Sequence, residues 1–263
     1  MLPSDPGVLE LLTRGRIEIE GRLVDASNAT LYCEISGGDE VAHCVYKPVS
    51  GERALWDFPD GTLAGREVGS YLVSQAAGLS LIPPTVLRNG PFGPGMVQLW
   101  VDTKEGDDLV DVCAPEDLPP GWRMVLRAHD RFGEPAVLAH ADHPGVRLMA
   151  ALDVVLNNAD RKGGHVLHGT DGKVYGVDHG ICLHTEHKLR TVLWGWVGEP
   201  LPEDVVDMLK TLESGMDDLS AALAEHVTKA EVKALRSRLS ALLSAAEFPT
   251  PGTDWRAIPW PAF

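Results

Sequence analysis

The sequence predicts an α+β protein made of two parts, a β-rich part with one main helix followed by a mostly helical part. Two observations support this fold class. Apolar and polar residues alternate with a period of two in the N-terminal third of the chain. From Trp196 to about Ala246, apolar residues recur instead at helical spacing. With 263 residues, 44% of them hydrophobic, the chain is long enough for both parts to bury cores.

Three strands are predicted at the start of the first part. Alternation runs from Arg16 to Leu23 and resumes over Leu31–Ile35 after a polar turn. A third strand covers Ala42–Lys47 and stops at Pro48, which has no backbone N–H to give to a sheet. These strands predict an antiparallel sheet with one covered face.

One helix and two further strands complete the first part. Apolar residues at helical spacing predict a helix over Gly65–Ala77, which Gly78 ends. Strands are then predicted at Thr85–Arg88 and Met96–Val101, joined by a Gly/Pro turn. The first part is therefore expected to hold a five-stranded sheet with one helix.

Residues 1–98 are predicted to form this N-terminal lobe, and residues 99–263 a hinge and a helical C-terminal lobe. Beyond Asp102 the sequence predicts loops rich in Pro, Asp and Gly around short helical pieces. A helix is expected over Val146–Leu156, and a hairpin over residues 166–177 that turns at Asp171–Gly172.

Composition excludes several functional classes. The net charge of −15 argues against general binding to nucleic acids, which requires Lys and Arg to neutralise phosphates. No transmembrane segment is predicted, and the absence of basic clusters makes membrane association unexpected. The four cysteines form no C-x-x-C pair, and a reducing cytoplasm is their simplest setting.

The most informative stretch surrounds the predicted hairpin. Asn158, Asp160, Arg161 and His165 lie on a polar loop before it, and Asp178 follows it. Asp160 can orient or deprotonate an attacking hydroxyl, and Asp178 can chelate a metal that bridges nucleotide phosphates. Arg161 can hold either the loop or a phosphate, and His165 stands where a second metal ligand would fall. The combination predicts phosphoryl transfer from ATP with a divalent metal ion.

Two residues of the first part fit the same chemistry. Lys47, at the end of the third strand, can reach nucleotide phosphates, although an exposed strand-end lysine is equally ordinary. Glu67, placed in the first turn of the predicted helix, can orient Lys47 through an ion pair. Its alternative role is to interact favourably with the helix dipole.

A turn between the first two strands can cover phosphates. The small residues around Ser27, Asn28 and Thr30 let backbone N–H groups approach an anion, and the hydroxyls add donors. No GxxxxGK[ST] sequence is present, so this is not a Walker A loop. An ordinary hairpin turn is the alternative.

At these residues the chain resembles the phosphatidylinositol 3-/4-kinase-like branch of the kinase superfamily, to which HipA-type and Fam-type kinases are related. It resembles an actinobacterial family of that branch more closely than the wider superfamily. The segments that carry the resemblance include VYKP, AGREVGSYL, LDVVLNNADRKGGHVL and GVDHGICLH. A bilobal protein-kinase-like fold is therefore expected.

The resemblance implies roles for individual residues. Asp160 would be the catalytic aspartate and Asp178 the metal aspartate, while Lys47 would hold phosphates and Glu67 would anchor Lys47. Residues of the hinge would face adenine, namely Gln98, Leu99, Trp100 and Val101. The chain departs from the family pattern at two positions. His165 replaces the usual Asn ligand, and His179 follows the metal aspartate where related kinases often have Asn or Phe. A neutral imidazole can bind Mg²⁺ but suits softer metals better, so the resemblance implies Mg²⁺ or Mn²⁺ as the ion.

The expected function is thus an ATP- and metal-dependent kinase that acts on a protein Ser/Thr or a small soluble hydroxyl compound. Three alternatives stay open, namely a nucleotide-binding pseudokinase or scaffold, an AMP-transferring enzyme of the same fold, and a true phosphoinositide kinase. A metal hydrolase built on the ten histidines has no H-E-x-x-H pairing to support it. Lys188 and Arg190, after Asp178, can either grip an anionic acceptor or be solvated loop charges.

Overall fold

The N-terminal part of the chain forms one antiparallel five-stranded sheet, here called the N-terminal sheet. The computed structural model describes residues 1–23, 28–252 and 256–263. The strands of the sheet are β1 (Arg16–Arg22), β2 (Leu31–Gly37), β3 (Glu40–Pro48), β4 (Thr85–Gly90) and β5 (Gly93–Leu99). Their spatial order is β1-β2-β3-β5-β4, so the five-stranded sheet predicted from alternation is confirmed.

A short helix, α1 (Val8–Arg14), covers one face of this sheet. Leu11 and Leu12 of α1 belong to the same buried cluster as Cys33 and Cys44, which are direct partners across β2 and β3. The two cysteines are therefore small core residues, as their apolar surroundings indicated, and all four cysteines are free thiols.

The main helix of the N-terminal part, α2 (Leu63–Ala76), begins two residues earlier than predicted. The Thr62 side chain caps it by accepting from the Gly65 N–H, and the Glu52 carboxylate accepts from the N–H groups of Leu63 and Ala64. Because α2 starts at Leu63, Glu67 lies in its second turn, and the predicted first-turn position was wrong.

One expectation about the middle of the chain was wrong. Where loops and short helical pieces were predicted, the structure has a three-stranded antiparallel sheet of β6 (Val110–Cys113), β7 (Trp122–His129) and β8 (Pro135–Ala141), in the order β6-β8-β7. The central strand β8 is buried on both faces and therefore shows an unbroken apolar run without alternation. That run lacks the periodicity from which the other strands were identified.

The helical part holds α3 (Pro144–Leu156), α4 (Glu203–Ser214), α5 (Met216–Leu223) and α6 (Lys229–Ala245). Between α3 and α4, β9 (Val166–His168) and β10 (Val174–Gly176) form the predicted antiparallel hairpin. The leucines at helical spacing along α4 to α6 lie in the main core, which also takes in Tyr71 and Val73 of α2. Helix α2 thus packs on both parts and positions its polar residues between them.

The observed architecture confirms the α+β class, with a β-rich N-terminal region and a helical C-terminal region. The lobe boundary between residues 98 and 99 stays a prediction. Within the described residues, no helix is both long and apolar enough to cross a bilayer.

Candidate functional site

Lys47 lies near the end of β3, with its ammonium group between two carboxylates from distant parts of the chain. Its Nζ is 2.7 Å from Oε1 of Glu67 and 2.9 Å from Oδ1 of Asp178. Burial opposes the charge, but the two carboxylates outweigh burial and raise the pKa of the Lys47 ammonium. With a side chain only 19% exposed, Lys47 is not the solvated strand-end lysine of the alternative interpretation.

Glu67 joins the lysine to the segment after β10. One carboxylate oxygen contacts Lys47, and the other accepts from the backbone N–H of His179 at 2.8 Å. The side chain is almost completely buried, so both bonds are shielded from water. The preceding residue fixes the helix, because Arg66 pairs with Glu231 of α6 at 2.5 Å and donates to the carbonyl of Cys182. These contacts hold α2, and with it Glu67, against the helical part.

Asp178 faces both Lys47 and His165. The Lys47 ammonium holds the pKa of the Asp178 carboxyl well below its usual range, although burial acts in the opposite direction. The second oxygen of Asp178 is 3.4 Å from Nε2 of His165. Asp178 has a left-handed backbone (φ 60°), which short polar residues tolerate and which turns its side chain out of the strand direction.

The imidazole of His165 is neutral at neutral pH. Burial lowers its pKa to about 4, with Asp178 acting in the opposite direction. Nδ1 is 3.1 Å from the Asp160 carbonyl oxygen and 3.5 Å from the Lys162 backbone nitrogen, and the shorter contact favours the tautomer that donates from Nδ1. Nε2 then presents a lone pair toward the carboxylate of Asp178. Two electron donors facing each other in this way fit a shared cation.

Asp153 of α3 anchors the loop that carries Asp160. Both oxygens of Asp153 accept from Arg161 at 2.9 Å, and Oδ1 also accepts from the Asn158 amide at 3.0 Å. Asn158 in turn accepts from the backbone N–H of Asp160. Arg161 is completely buried, so of its two predicted roles the geometry supports holding the loop and not contacting a phosphate. Asn158 likewise orients the loop from within the protein.

Asp160 presents its carboxylate to a cavity. Lys162 lies 3.7 Å from Oδ2, and burial raises the pKa of the Asp160 carboxyl, with Lys162 acting against that rise. Sequence reasoning missed Lys162, although its spacing of two from Asp160 was a usable signal. It also missed Asp153, which no local pattern marks as a partner of the loop.

His179 does not enter the cleft. Its Nε2 accepts from Arg161 at 2.6 Å, and the side chain is completely buried. Burial lowers the pKa of His179 well below its usual value, with Arg161 adding to that effect. A neutral imidazole that accepts from a buried guanidinium is a structural contact, and neither cavity at the site is lined by this residue.

Two cavities meet at the Lys47–Asp178 pair, and both residues line both of them. The larger has a volume of 530 Å³, and its wall includes Thr30, His165 and the predicted hinge residues Gln98, Leu99, Trp100 and Val101. The smaller has a volume of 340 Å³, and its wall includes Asn28, Glu67 and Asp160. The structure thus brings together the described residues predicted for the site, except that Arg161 and Asn158 lie behind it. Ser27 lies outside the described residues.

Two predicted nucleotide-binding side chains are partly engaged elsewhere. The Gln98 amide donates to Oγ1 of Thr85, on the neighbouring strand β4, at 2.8 Å. The Asn28 side chain accepts from the backbone N–H of Arg53 at 2.9 Å. Both residues still contribute to cavity walls.

Two cations of the segment after Asp178 have partners within the protein. Lys188 is mostly buried and pairs with Asp57 at 3.1 Å, so it is not a solvated charge. Arg190 donates from Nε to the carbonyl of Ala159 at 2.6 Å, next to Asp160. Both cations therefore hold loops in place. Trp196 packs between His140 and Phe248, which makes it a core residue.

The residues present fit a divalent cation with few protein ligands. Asp178 and His165 can supply two, and Mg²⁺ in particular keeps several waters and binds nucleotide phosphates alongside one or two side chains. Among the described residues, the group with three potential ligand atoms within 4.8 Å of one another is Glu20, Glu34 and His43, on an outer face of the N-terminal sheet. That trio is outside the cleft.

Comparisons with solved structures show the same fold. The Golgi casein kinase matches 92% of this chain and 75% of its own, with 14% identity and a TM-score of 0.54. Its structure with Mn/ADP bound gives a TM-score of 0.55, again at 14% identity, over 91% of this chain and 74% of the other. The hydra Fam20 structure with sugar gives 0.52 at 13% identity, over 91% and 87% of the two chains. The protein-kinase-like fold expected from the sequence is therefore confirmed.

Sequence comparison shows a much nearer relative. No family model matches the chain, so the similarity to phosphatidylinositol 3-/4-kinases stays a sequence-based prediction. "Protein Rv2133c" of Mycobacterium tuberculosis is 51% identical over an alignment of 263 positions that covers 96% of this chain and 94% of that protein. The chain belongs to the same family as the Mycobacterium tuberculosis protein Rv2133c.

Proposed function

We propose that the protein is an ATP- and divalent-metal-dependent phosphotransferase with a protein Ser/Thr or a small soluble hydroxyl compound as acceptor. One observation carries the proposal. Lys47, bonded to both Glu67 and Asp178, stands at the junction of two cavities, and Asp160 lies on the wall of one of them. One cleft then contains a cation for the nucleotide phosphates, a carboxylate for the metal ion and a second carboxylate for the acceptor hydroxyl.

Each residue has a defined part in this proposal. Lys47 would hold the inner phosphates of ATP, and Asp178 with His165 would hold the metal ion. ATP with its bound metal supplies the phosphoryl group and neutralises charge on the phosphates. Asp160 orients the acceptor hydroxyl and accepts its proton as the acceptor oxygen bonds to phosphorus and ADP leaves. The Golgi casein kinase structure with Mn/ADP bound supports a nucleotide and Mn²⁺ as ligands of this fold.

The acceptor is proposed from charge and cavity composition. The wall of the smaller cavity near Asp160 combines apolar side chains, including Leu55, Leu63 and Ile181, with four carboxylates and two cations. A phosphoinositide headgroup carries several negative charges, and a site for it needs several cations. With a net charge of −15 and few cations at this cavity, the chain favours a less charged acceptor.

The test is the substitution Asp160→Asn. It is expected to abolish transfer of phosphate from ATP while changing nucleotide affinity less than about twofold, since the isosteric amide cannot accept the proton. Asp207→Asn, at an exposed position on α4, is the matched control and is expected to behave as wild type. Wild-type turnover in Asp160→Asn would contradict the proposal.

The same purified protein also tests two alternative functions. A pseudokinase would bind ATP with Mg²⁺ or Mn²⁺ but show no turnover with any acceptor. The departures from the kinase pattern at His165 and His179 favour this alternative, but His179 lies outside the cleft and so gives it less support. An AMP-transferring enzyme would add the mass of AMP to the acceptor instead of that of phosphate, which mass spectrometry distinguishes.

A further inference from the structure

Arg53 lies at the candidate site, although sequence reasoning did not single it out. It belongs to the connection between β3 and α2, and it lines the 340 Å³ cavity together with Asp160 and Asp178. The residue is exposed, and the structure records no hydrogen bond or ion pair for its guanidinium group within the described residues. An arginine on a cavity wall that also carries two aspartates, and without a protein partner among the described residues, is available to bind a ligand.

The backbone around Arg53 is attached to the turn between β1 and β2. The Arg53 N–H donates to Oδ1 of Asn28 at 2.9 Å, and the Ala29 N–H donates to the carbonyl of Gly51 at 3.3 Å. A Cβ on Gly51 would come within 2.5 Å of the Ala29 Cβ, so this close approach requires glycine. These contacts place Arg53 beside the turn that was predicted to cover phosphates.

The other polar side chains on the wall near Arg53 are already engaged. Lys47 is bonded to Glu67 and Asp178, and the Glu52 carboxylate accepts from two N–H groups at the start of α2. The Asn28 oxygen is taken by the backbone of Arg53. Arg53 is therefore the cation on this wall that has no protein partner in the described part of the chain.

The position of Arg53 relative to Lys47 indicates which ligand group it meets. The larger cavity, which is lined by the predicted hinge, and the smaller cavity share Lys47 and Asp178 in their walls. A nucleotide with its base against the hinge and its inner phosphates at Lys47 directs its terminal phosphate into the smaller cavity. Arg53 and Asp160 both line that cavity.

We propose that Arg53 binds the terminal phosphate of ATP, the group that the proposed kinase transfers. The inference rests on the proposed function. The guanidinium group presents paired N–H donors whose spacing matches two phosphate oxygens, and its charge offsets that of the phosphate. Arg53 thereby makes the site prefer ATP over ADP, and it holds the terminal phosphate near the carboxylate of Asp160 that receives the acceptor.

The test compares two nucleotides. Dissociation constants for ADP and for a non-hydrolysable ATP analogue are measured with Mn²⁺ by isothermal titration calorimetry, on wild type, Arg53→Gln and Arg53→Lys. Arg53→Gln is expected to weaken binding of the ATP analogue about tenfold, the effect of one lost charge-assisted phosphate contact. Binding of ADP, which lacks the terminal phosphate, is expected to change less than about twofold. Arg53→Lys keeps the charge and is expected to give an intermediate result.

Controls keep the inference separate from the proposed function. Arg127→Gln, at an exposed position on β7, is the matched control and is expected to leave the dissociation constants of both nucleotides unchanged. Circular dichroism and thermal unfolding establish that Arg53→Gln is folded, which is expected since the bond from Arg53 to Asn28 uses the backbone. If wild type binds neither nucleotide, the proposed function fails. If wild type binds both and Arg53→Gln leaves their ratio unchanged, the role of Arg53 is refuted, and an anionic acceptor becomes its expected ligand.

Discussion

The buried ion pair between Asp153 and Arg161 makes a strong prediction about stability. Both side chains are completely buried, and two hydrogen bonds of 2.9 Å join them. Asp153 also accepts from Asn158 at 3.0 Å. The substitution Asp153→Asn preserves the shape of the side chain but leaves the charge of Arg161 buried without its counter-ion.

The size of the effect follows from this geometry. Removing one partner of a buried ion pair costs about 3 to 5 kcal/mol, because the remaining charge is neither paired nor hydrated. Arg161 keeps its bonds to the carbonyls of His165 and Val177, which places the expected loss of unfolding free energy near about 3 kcal/mol. For a chain of this length, that corresponds to a fall in melting temperature of roughly 6 to 12 °C.

Urea unfolding followed by circular dichroism at neutral pH measures the effect. The matched control is Asp217→Asn, which breaks a pair of the same length, 2.9 Å, between Arg236 and an Asp217 side chain that is 95% exposed. No measurable change is expected there, since water and salt already screen the charges. If both substitutions lower the stability equally, the argument from burial is wrong.

Three further outcomes are expected. Lys47→Met removes the cation between Glu67 and Asp178 and should weaken binding of ADP with Mn²⁺ by about tenfold or more, and an unchanged dissociation constant in calorimetry would contradict that role. His165→Asn replaces a nitrogen ligand with an oxygen ligand and should shift the ratio of nucleotide affinities in Mn²⁺ and Mg²⁺ toward Mg²⁺, and a wild-type ratio would show that His165 is not a ligand. Burial lowers the pKa of His140 from 6.5 to about 4. Between these two pH values, His140 is protonated in the unfolded chain but neutral in the folded protein. The contribution of His140 to the free energy of unfolding is complete above pH 6.5 and is lost as the pH falls toward about 4. About 2 kcal/mol of unfolding free energy is lost between about pH 7.5 and about pH 5. His140→Gln should flatten that dependence in urea unfolding, and parallel curves would refute the assignment.

The sequence by itself determined the N-terminal sheet, its main helix, the hairpin before Asp178 and the chemical types at the site. Strands with one buried face and helices with one apolar stripe leave periodic patterns that need no knowledge of the rest of the chain. Lys47, Glu67 and Asp178 could be selected because each lies at or near the end of such an element. Strand β8 was missed because burial on both faces erases the alternation.

Tertiary structure decided which distant residues meet. Arg66 pairs with Glu231 across 165 positions, and Lys188 pairs with Asp57 across 131. Arg53 reaches the cleft because its backbone is attached to the β1–β2 turn. A charged side chain has the same local sequence signature whether it is solvated, pairs within the core or faces a ligand. Only the packing of elements determines its partners and its access to water, and these set its charge state and its role.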